Sequence, residues 1–499
     1  MSSSDQRRIL IGRWENATYR SKNEIPDYDG NPFIEALPWL PEDSVDLIKL
    51  LRCAPIISEA DRLAGPRARR HMLGRLKKWV YPTEEYLDYF ERFLALICAG
   101  YEVRNPFDPI AIRRRYLAGS QEIADLPPLV LSSLTNMLTV CGIAGCGKST
   151  LTEKTLLLFP QVIEHHEYHG RPFRCLQLAW LKFDCPPDGS PKALCQEFLI
   201  TLDAILGTKH RKQFNSRSTN KSQYLSAMRQ LAATYYFGAL VIDEIGNLGA
   251  GRGESLETVL NFLLTFTNSI GVPLIFNTIP AGMELLGQTL HNAERAFEQL
   301  VSMDPLSNGS VTWRLFLTDA MCFQFLPDAK PFSFENTNKI GTYEYELSRA
   351  FHLASRGIPR VFVHLFAECQ REAMQGQPQF ITDTLVKEVY DVKFKPLHAA
   401  LEHYDRGELE DYERAMSVAK RFFEVRSTVA APTPSINANG NETNHEKGES
   451  LMLVDTETSL PKGAIPLKSK ADLREAGKAP SVYEWLRVND HLFDLRSVL

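Results

Sequence analysis

One stretch of the chain has residue types at a spacing that performs chemistry: Met137-Leu-Thr-Val-Cys-Gly-Ile-Ala-Gly-Cys-Gly-Lys-Ser-Thr150. Gly142 is followed by four residues and then by Gly147, Lys148 and Ser149, the pattern G-x-x-x-x-G-K-[ST]. Glycines at both ends let the backbone curl until its N–H groups converge on an anion. Gly142, Ile143, Ala144, Gly145, Cys146, Gly147, Lys148, Ser149 and Thr150 are therefore predicted to cradle the phosphates of ATP. The Lys148 amine reaches the β- and γ-phosphates, and the Ser149 hydroxyl takes a Mg²⁺ ion.

A second stretch, Ala239-Leu-Val-Ile-Asp-Glu-Ile245, is apolar and then ends in two carboxylates. At the end of a strand, Asp243 is predicted to hold Mg²⁺ through water. Glu244 has the basicity to orient or deprotonate a water without being consumed as a nucleophile. The two stretches together predict a Mg²⁺-dependent ATPase.

These side chains need rigid supports. The run Met137–Cys141 reads as a buried strand, and Thr150–Phe159 as the helix whose N-terminus adds partial positive charge to the loop. Further strands are predicted at 174–183, 239–243, 272–278 and near Gln299–Met303. Helices are predicted at Pro191–Leu206, Lys221–Tyr235 and Ser255–Ile270. Strand alternating with helix implies α/β architecture, a parallel sheet covered on both faces.

Around this core, residues 1–30 read as a mobile arm and 31–130 as a mostly helical N-terminal region. Its clearest helix runs over Thr83–Ala99, with Thr83 as N-cap, an apolar stripe at Leu87, Phe90, Phe93, Leu94 and Ile97, and Gly100 closing it. The α/β core occupies 131–306, and 307–426 form a helical lid and C-terminal helices. Residues 427–480 are rich in Ala, Pro, Asn, Ser and Thr and read as a disordered linker. The last stretch, 481–499, is again aromatic and aliphatic and reads as a partner-docking tail. Glu164-His-His-Glu-Tyr-His169 has some metal-ligand character, but its flanking Gly170 and Pro172 point to a solvated loop.

Composition narrows the class. A net charge of −5 makes any nucleic-acid contact a matter of a local patch. Residues 204–242 contain no acid, and Lys209, Arg211, Lys212, Arg217 and Lys221 cluster there among Asn, Ser, Thr and Gln. That mixture suits a nucleic-acid backbone better than base reading. No apolar run approaches the roughly 18 residues of a membrane span, and the N-terminus has no apolar signal core behind it. Nine scattered cysteines without a C-x-x-C pair fit reduced thiols in the cytoplasm.

The Asp-Glu pair placed after a phosphate loop resembles the AAA+ ATPases. That resemblance implies a sensor I role for Asn277 or Thr278, a sensor II role for Arg360 in Gly357-Ile-Pro-Arg360, and an arginine finger at Arg295. Other runs recur in the same order: Asn31-Pro-Phe-Ile-Glu-Ala-Leu-Pro38, Arg104-Asn-Pro106, Pro160-Gln-Val-Ile163, Leu178 to Cys185, Ile270-Gly-Val-Pro273, Thr278-Ile-Pro280 and Lys395-Pro-Leu-His398. Together they resemble TnsC, the AAA+ regulator of Tns-class transposons, over about residues 31–407. Gly246-Asn247 and the neighbourhood of Arg295 depart from it.

The resemblance implies a bacterial, nucleoid-associated protein that assembles with copies of itself on double-stranded DNA. It also implies partners: a TniQ/TnsD-type target selector, and the TnsA and TnsB transposase subunits. Two other classes share the nucleotide residues, a helicase-loader or clamp-loader-like remodelling ATPase and a signalling NTPase that never touches DNA.

Overall fold

The computed structural model describes residues 9–20, 25–38, 41, 43–120, 122, 137–186, 190–214, 221–245, 256–287 and 299–428. Strands in chain order are β1 (Trp14–Asn16), β2 (Met137–Cys141), β3 (Val162–Tyr168), β4 (Arg171–Leu178), β5 (Trp180–Asp184), β6 (Ala239–Asp243), β7 (Leu274–Thr278) and β8 (Leu300–Ser302). Five of them form one sheet in the order β5-β6-β7-β2-β8. Every neighbouring pair in it is parallel.

The sheet is apolar because it is buried on both sides. Leu138, Val140, Trp180, Val241 and Ile275 face one core, beneath the helices Glu84–Glu102 and Lys148–Leu158. Leu181, Phe183, Leu240, Ile242, Leu274 and Phe276 face the other, against Pro191–Leu206, Lys221–Thr234 and Leu256–Ile270. Polar groups are thereby driven to the strand ends.

Residues 174–183 are not one strand, as their apolar pattern predicts, but two. The chain leaves a small sheet of order β1-β3-β4 at Leu178 and enters the large one at Trp180. Ala179 is the crossing point: its N–H donates to Gln161 at 2.9 Å and its carbonyl accepts from Ala239 at 3.0 Å. A side chain at Gly238 would lie 2.2 Å from that carbonyl, so only glycine passes there.

The small sheet corrects two sequence expectations. Trp14–Asn16 pair in parallel with β3, so the mobile-arm reading does not hold for residues 9–20. The His-rich segment is strand, not loop. His169 (φ 47°) and Gly170 (φ 74°) make a two-residue hairpin with both residues left-handed. His165 is buried, between the Tyr19 hydroxyl at 2.7 Å and the Gln177 amide oxygen at 2.9 Å.

The N-terminal helix runs past Gly100 to Glu102. Gly100 sits there for close packing, since a Cβ would lie 2.8 Å from Pro273. Thr83 occupies the N-cap position without a capping bond from its side chain. Arg104 donates to the carbonyls of Gly100 (2.6 Å), Gly238 (3.5 Å) and Phe237, tying this helix to the start of β6. Burial pushes its guanidinium down to about 10.

Beyond β8 come Val311–Met321, Tyr343–Ser355, Pro359–Ala373 and Asp383–Lys393, then two further helices. Lys395–Asp405 and Leu409–Thr428 are separated at Gly407, whose φ is 77°.

Arg104→Ala strands those carbonyls in a buried place. It is expected to cost about 3 kcal/mol, read as a lower urea midpoint; an unchanged midpoint would show the tie to be idle.

Candidate nucleotide site

β2 delivers the chain into the glycine-rich loop. Gly142 has no room for a side chain, because a Cβ would sit 2.2 Å from the Met303 carbonyl. Gly145 and Gly147 have φ of 98° and 103°, the left-handed region. Gly147 is the N-cap of the helix Lys148–Leu158, so unpaired N–H groups of the first turn face the loop. The Lys148 amine curls back onto the loop, 2.5 Å from the Gly142 carbonyl and 3.1 Å from that of Ile143. The cradle has the geometry and charge of an anion site.

Asp243 ends β6, 4% exposed. The Glu244 N–H donates to its Oδ1 at 2.9 Å. Glu244 has φ 58°, a left-handed turn that a glutamate rarely adopts, and its side chain is exposed. The turn separates the two neighbours: one carboxylate is held in the floor, the other is presented at the surface.

β7 lies between the phosphate-loop strand and the Asp243 strand. Strand alternation decides between the two polar residues at its end. Asn277 faces the side of the phosphate-loop helix, where its Oδ1 accepts from Thr152 at 3.0 Å. Among the described residues its buried Nδ2 has no hydrogen-bond partner. Thr278 follows the alternation to the other face, and its hydroxyl donates to the Ile279 carbonyl at 3.2 Å. Asn277 is thus the one placed beside the floor.

The lid touches the loop directly. The Arg360 N–H donates to the Gly145 carbonyl at 3.1 Å. A Cβ on Gly145 would come within 3.0 Å of Ile358 and 3.2 Å of Arg360.

Two contacts have no sequence signal. From Leu409–Thr428, the Tyr412 hydroxyl donates to the Ala144 carbonyl at 2.7 Å, and Glu413 accepts from the Ala144 N–H at 2.7 Å. Burial pushes the Glu413 carboxyl up, while the Ala144 N–H and the Lys148 charge hold it back. A third unforeseen residue is Lys182, 7% exposed on β5 and 3.2 Å from Asp243. Burial pushes its amine down, but Asp243, Asp184 and Glu153 more than reverse this, so it stays charged. A lysine between Leu181 and Phe183 in an apolar strand is a signal that could have been read.

The donor set suits Mg²⁺, which prefers oxygen ligands and phosphates to an all-protein cage. Ser149 opens the phosphate-loop helix and Asp243 ends a strand two places along the sheet; these are the residues that would hold it.

The basic segment lies elsewhere, between helices that cover the opposite face of the sheet. Lys209, Arg211, Lys212 and Lys221 are exposed. The segment is not independent of acids: Asp203 accepts from Thr208 Oγ1 (2.6 Å), His210 N (2.8 Å) and Arg211 N (2.9 Å). Arg217, Arg295 and the 481–499 tail lie outside the described residues.

A parallel sheet in this strand order, a phosphate loop after β2, an acidic pair after β6 and helical flanking regions define an AAA+ P-loop fold. Residues 132–285 match the family described as an AAA domain. No curated protein matches the chain. Among solved structures it is similar to the ORC2 protein of Aeropyrum pernix in its ADP form, at 11% identity over 56% of this chain and 67% of that one (TM-score 0.33). A Walker-type ATPase of Pyrococcus abyssi is 15% identical over 59% and 75% (TM-score 0.32). Cdc6p of Pyrobaculum aerophilum is 12% identical over 58% and 74% (TM-score 0.33). The fold assignment rests on strand order, phosphate loop and family match. Among the described residues, no helix is long and apolar enough to cross a membrane, and none of the nine cysteines forms a disulfide.

Lys148→Ala is expected to weaken ATP binding by about 100-fold or more, the loss of a charge-assisted contact to phosphate. Calorimetry with Mg²⁺–ATP reads it; wild-type affinity in the variant would move the nucleotide elsewhere.

Proposed function

We propose that this protein is an ATP-gated assembly factor on double-stranded DNA, a regulator of transposition similar to TnsC. The observation that carries the ATPase part is convergence: the phosphate loop, Asp243 and Asn277 meet at one end of the sheet, with Glu244 turned outward beside them.

Each residue then has a task. The loop N–H groups and Lys148 bind the phosphates. Ser149 and Asp243 hold Mg²⁺, which neutralises charge on the β- and γ-phosphates when bound. Asn277 steers the γ-phosphate end. Glu244 draws a proton from water as the water oxygen bonds to the γ-phosphorus and the bridge to the β-phosphate breaks. ADP and phosphate leave. Arg360 reads the loop from the lid. Arg295 of one protomer supplies positive charge to the nucleotide of the next. ATP therefore joins protomers, and hydrolysis releases them.

Lys209, Arg211, Lys212, Arg217 and Lys221 contact the DNA backbone. The transposon reading is supported by the sequence runs outside the ATPase motifs, from Asn31-Pro-Phe to Lys395-Pro-Leu-His398. It assigns a TniQ/TnsD-type selector upstream and TnsA with TnsB downstream, the latter recruited through 481–499. The cytoplasm of a bacterium, at its nucleoid, is the matching place.

Glu244→Gln is expected to bind ATP, hydrolyse it at least about 100-fold more slowly, and accumulate on DNA. Wild-type turnover would remove Glu244 as the base. DNA affinity should fall with salt, with a log–log slope of about −0.9 per phosphate contact; a flat response would remove the DNA reading. Deleting 481–499 should leave DNA binding intact and lose TnsA/TnsB capture. Capture by the truncated chain would remove 481–499 as the docking segment.

A further inference from the structure

Beside Asp243, Lys182 stands among three carboxylates. Lys182 Nζ lies 3.2 Å from Asp243 Oδ2 and 3.5 Å from both Glu153 Oε1 and Asp184 Oδ1. These groups come from three elements: Glu153 from the phosphate-loop helix, Lys182 and Asp184 from β5, Asp243 from β6. Strand register puts Asp184 opposite Asp243, and the Cys185 N–H donates to the Asp243 carbonyl at 2.8 Å.

Packing alone does not account for a charge here. Lys182 stands in a strand whose other residues Trp180, Leu181 and Phe183 are fully or nearly buried. A charge taken out of water costs free energy that ion pairing only partly returns, and well-packed apolar groups often do as well. What an ammonium does and a hydrocarbon cannot is fix the direction of a carboxylate and offset its charge.

We propose that Lys182 is a positioning residue: it aims Asp243 at the Mg²⁺ position and sets how far nucleotide binding depends on the ion. The inference rests on the nucleotide-site reading above. Lys182 contributes one positive charge beside Asp243 before any ion arrives. Without that charge the site is more negative, which disfavours free ATP more than its less negative Mg²⁺ complex.

The measurement is the affinity of the full chain for ATP in Mg²⁺ and in EDTA, taken as a ratio. Lys182→Met is expected to raise that ratio about tenfold, and Lys182→Arg to leave it within about twofold of wild type. Asp184→Asn removes a half-exposed negative charge and should lower the ratio. Melting temperatures check folding; if Lys182→Met does not fold, the arginine and Asp184 variants decide. A folded Lys182→Met with a wild-type ratio, or an unmoved ratio in Asp184→Asn, overturns the inference. A wild-type chain that binds no ATP in Mg²⁺ overturns the nucleotide reading itself, and Lys148→Ala separates that case.

Discussion

A parallel sheet buried on both faces has only its ends available for chemistry. Every polar group placed in such a sheet costs free energy unless it is paired. Here the interior strands are Leu, Val, Ile and Phe almost throughout, and Asp184, Asp243, Glu244 and Asn277 crowd at one end, with Lys182 reaching Asp243 from the middle of β5. The phosphate loop leaves the sheet at the same end. The site is therefore a consequence of where the fold tolerates charge, and its parts are held by backbone register, not by flexible side chains.

The loop is also a meeting point for segments far apart in the chain. The N-terminal helix covers the phosphate-loop helix, with Phe90 and Phe93 against Phe159. Met303 closes one side of the loop through its carbonyl, which is why Gly142 is glycine. Arg360 holds Gly145 from the lid, and Tyr412 with Glu413 holds both polar groups of Ala144 from a helix 268 and 269 residues away. The phosphate loop and the helix Leu409–Thr428 are therefore hydrogen-bonded to each other directly.

How much of this is legible in the sequence depends on how local the cause is. The phosphate loop is legible because glycine, lysine and serine at fixed spacing determine a backbone shape among neighbours. The apolar runs at β2, β6 and β7 are legible for the same reason. Pairing across strands is not. Lys182 acquires its meaning from the register of β5 on β6, and Asn277 is separated from Thr278 only by which face the alternation gives it. The break at Ala179 is hidden inside a continuous apolar run. His165 looks like a metal ligand in sequence and is a buried polar contact in space. Asp203 lies just outside the acid-free stretch by count, yet its carboxylate caps it. Gly100, which reads as a helix stop, is a packing position set by Pro273.

Electron cryomicroscopy of the purified chain with duplex DNA, Mg²⁺ and a non-hydrolysable ATP analogue tests the central claim most directly. The account predicts protomers encircling the duplex, each triphosphate seated in residues 142–150 with the ion between Ser149 and Asp243, and an arginine of the neighbouring protomer at its γ-phosphate. Single protomers on DNA with the nucleotide bound, or a nucleotide seated away from that loop, would contradict it.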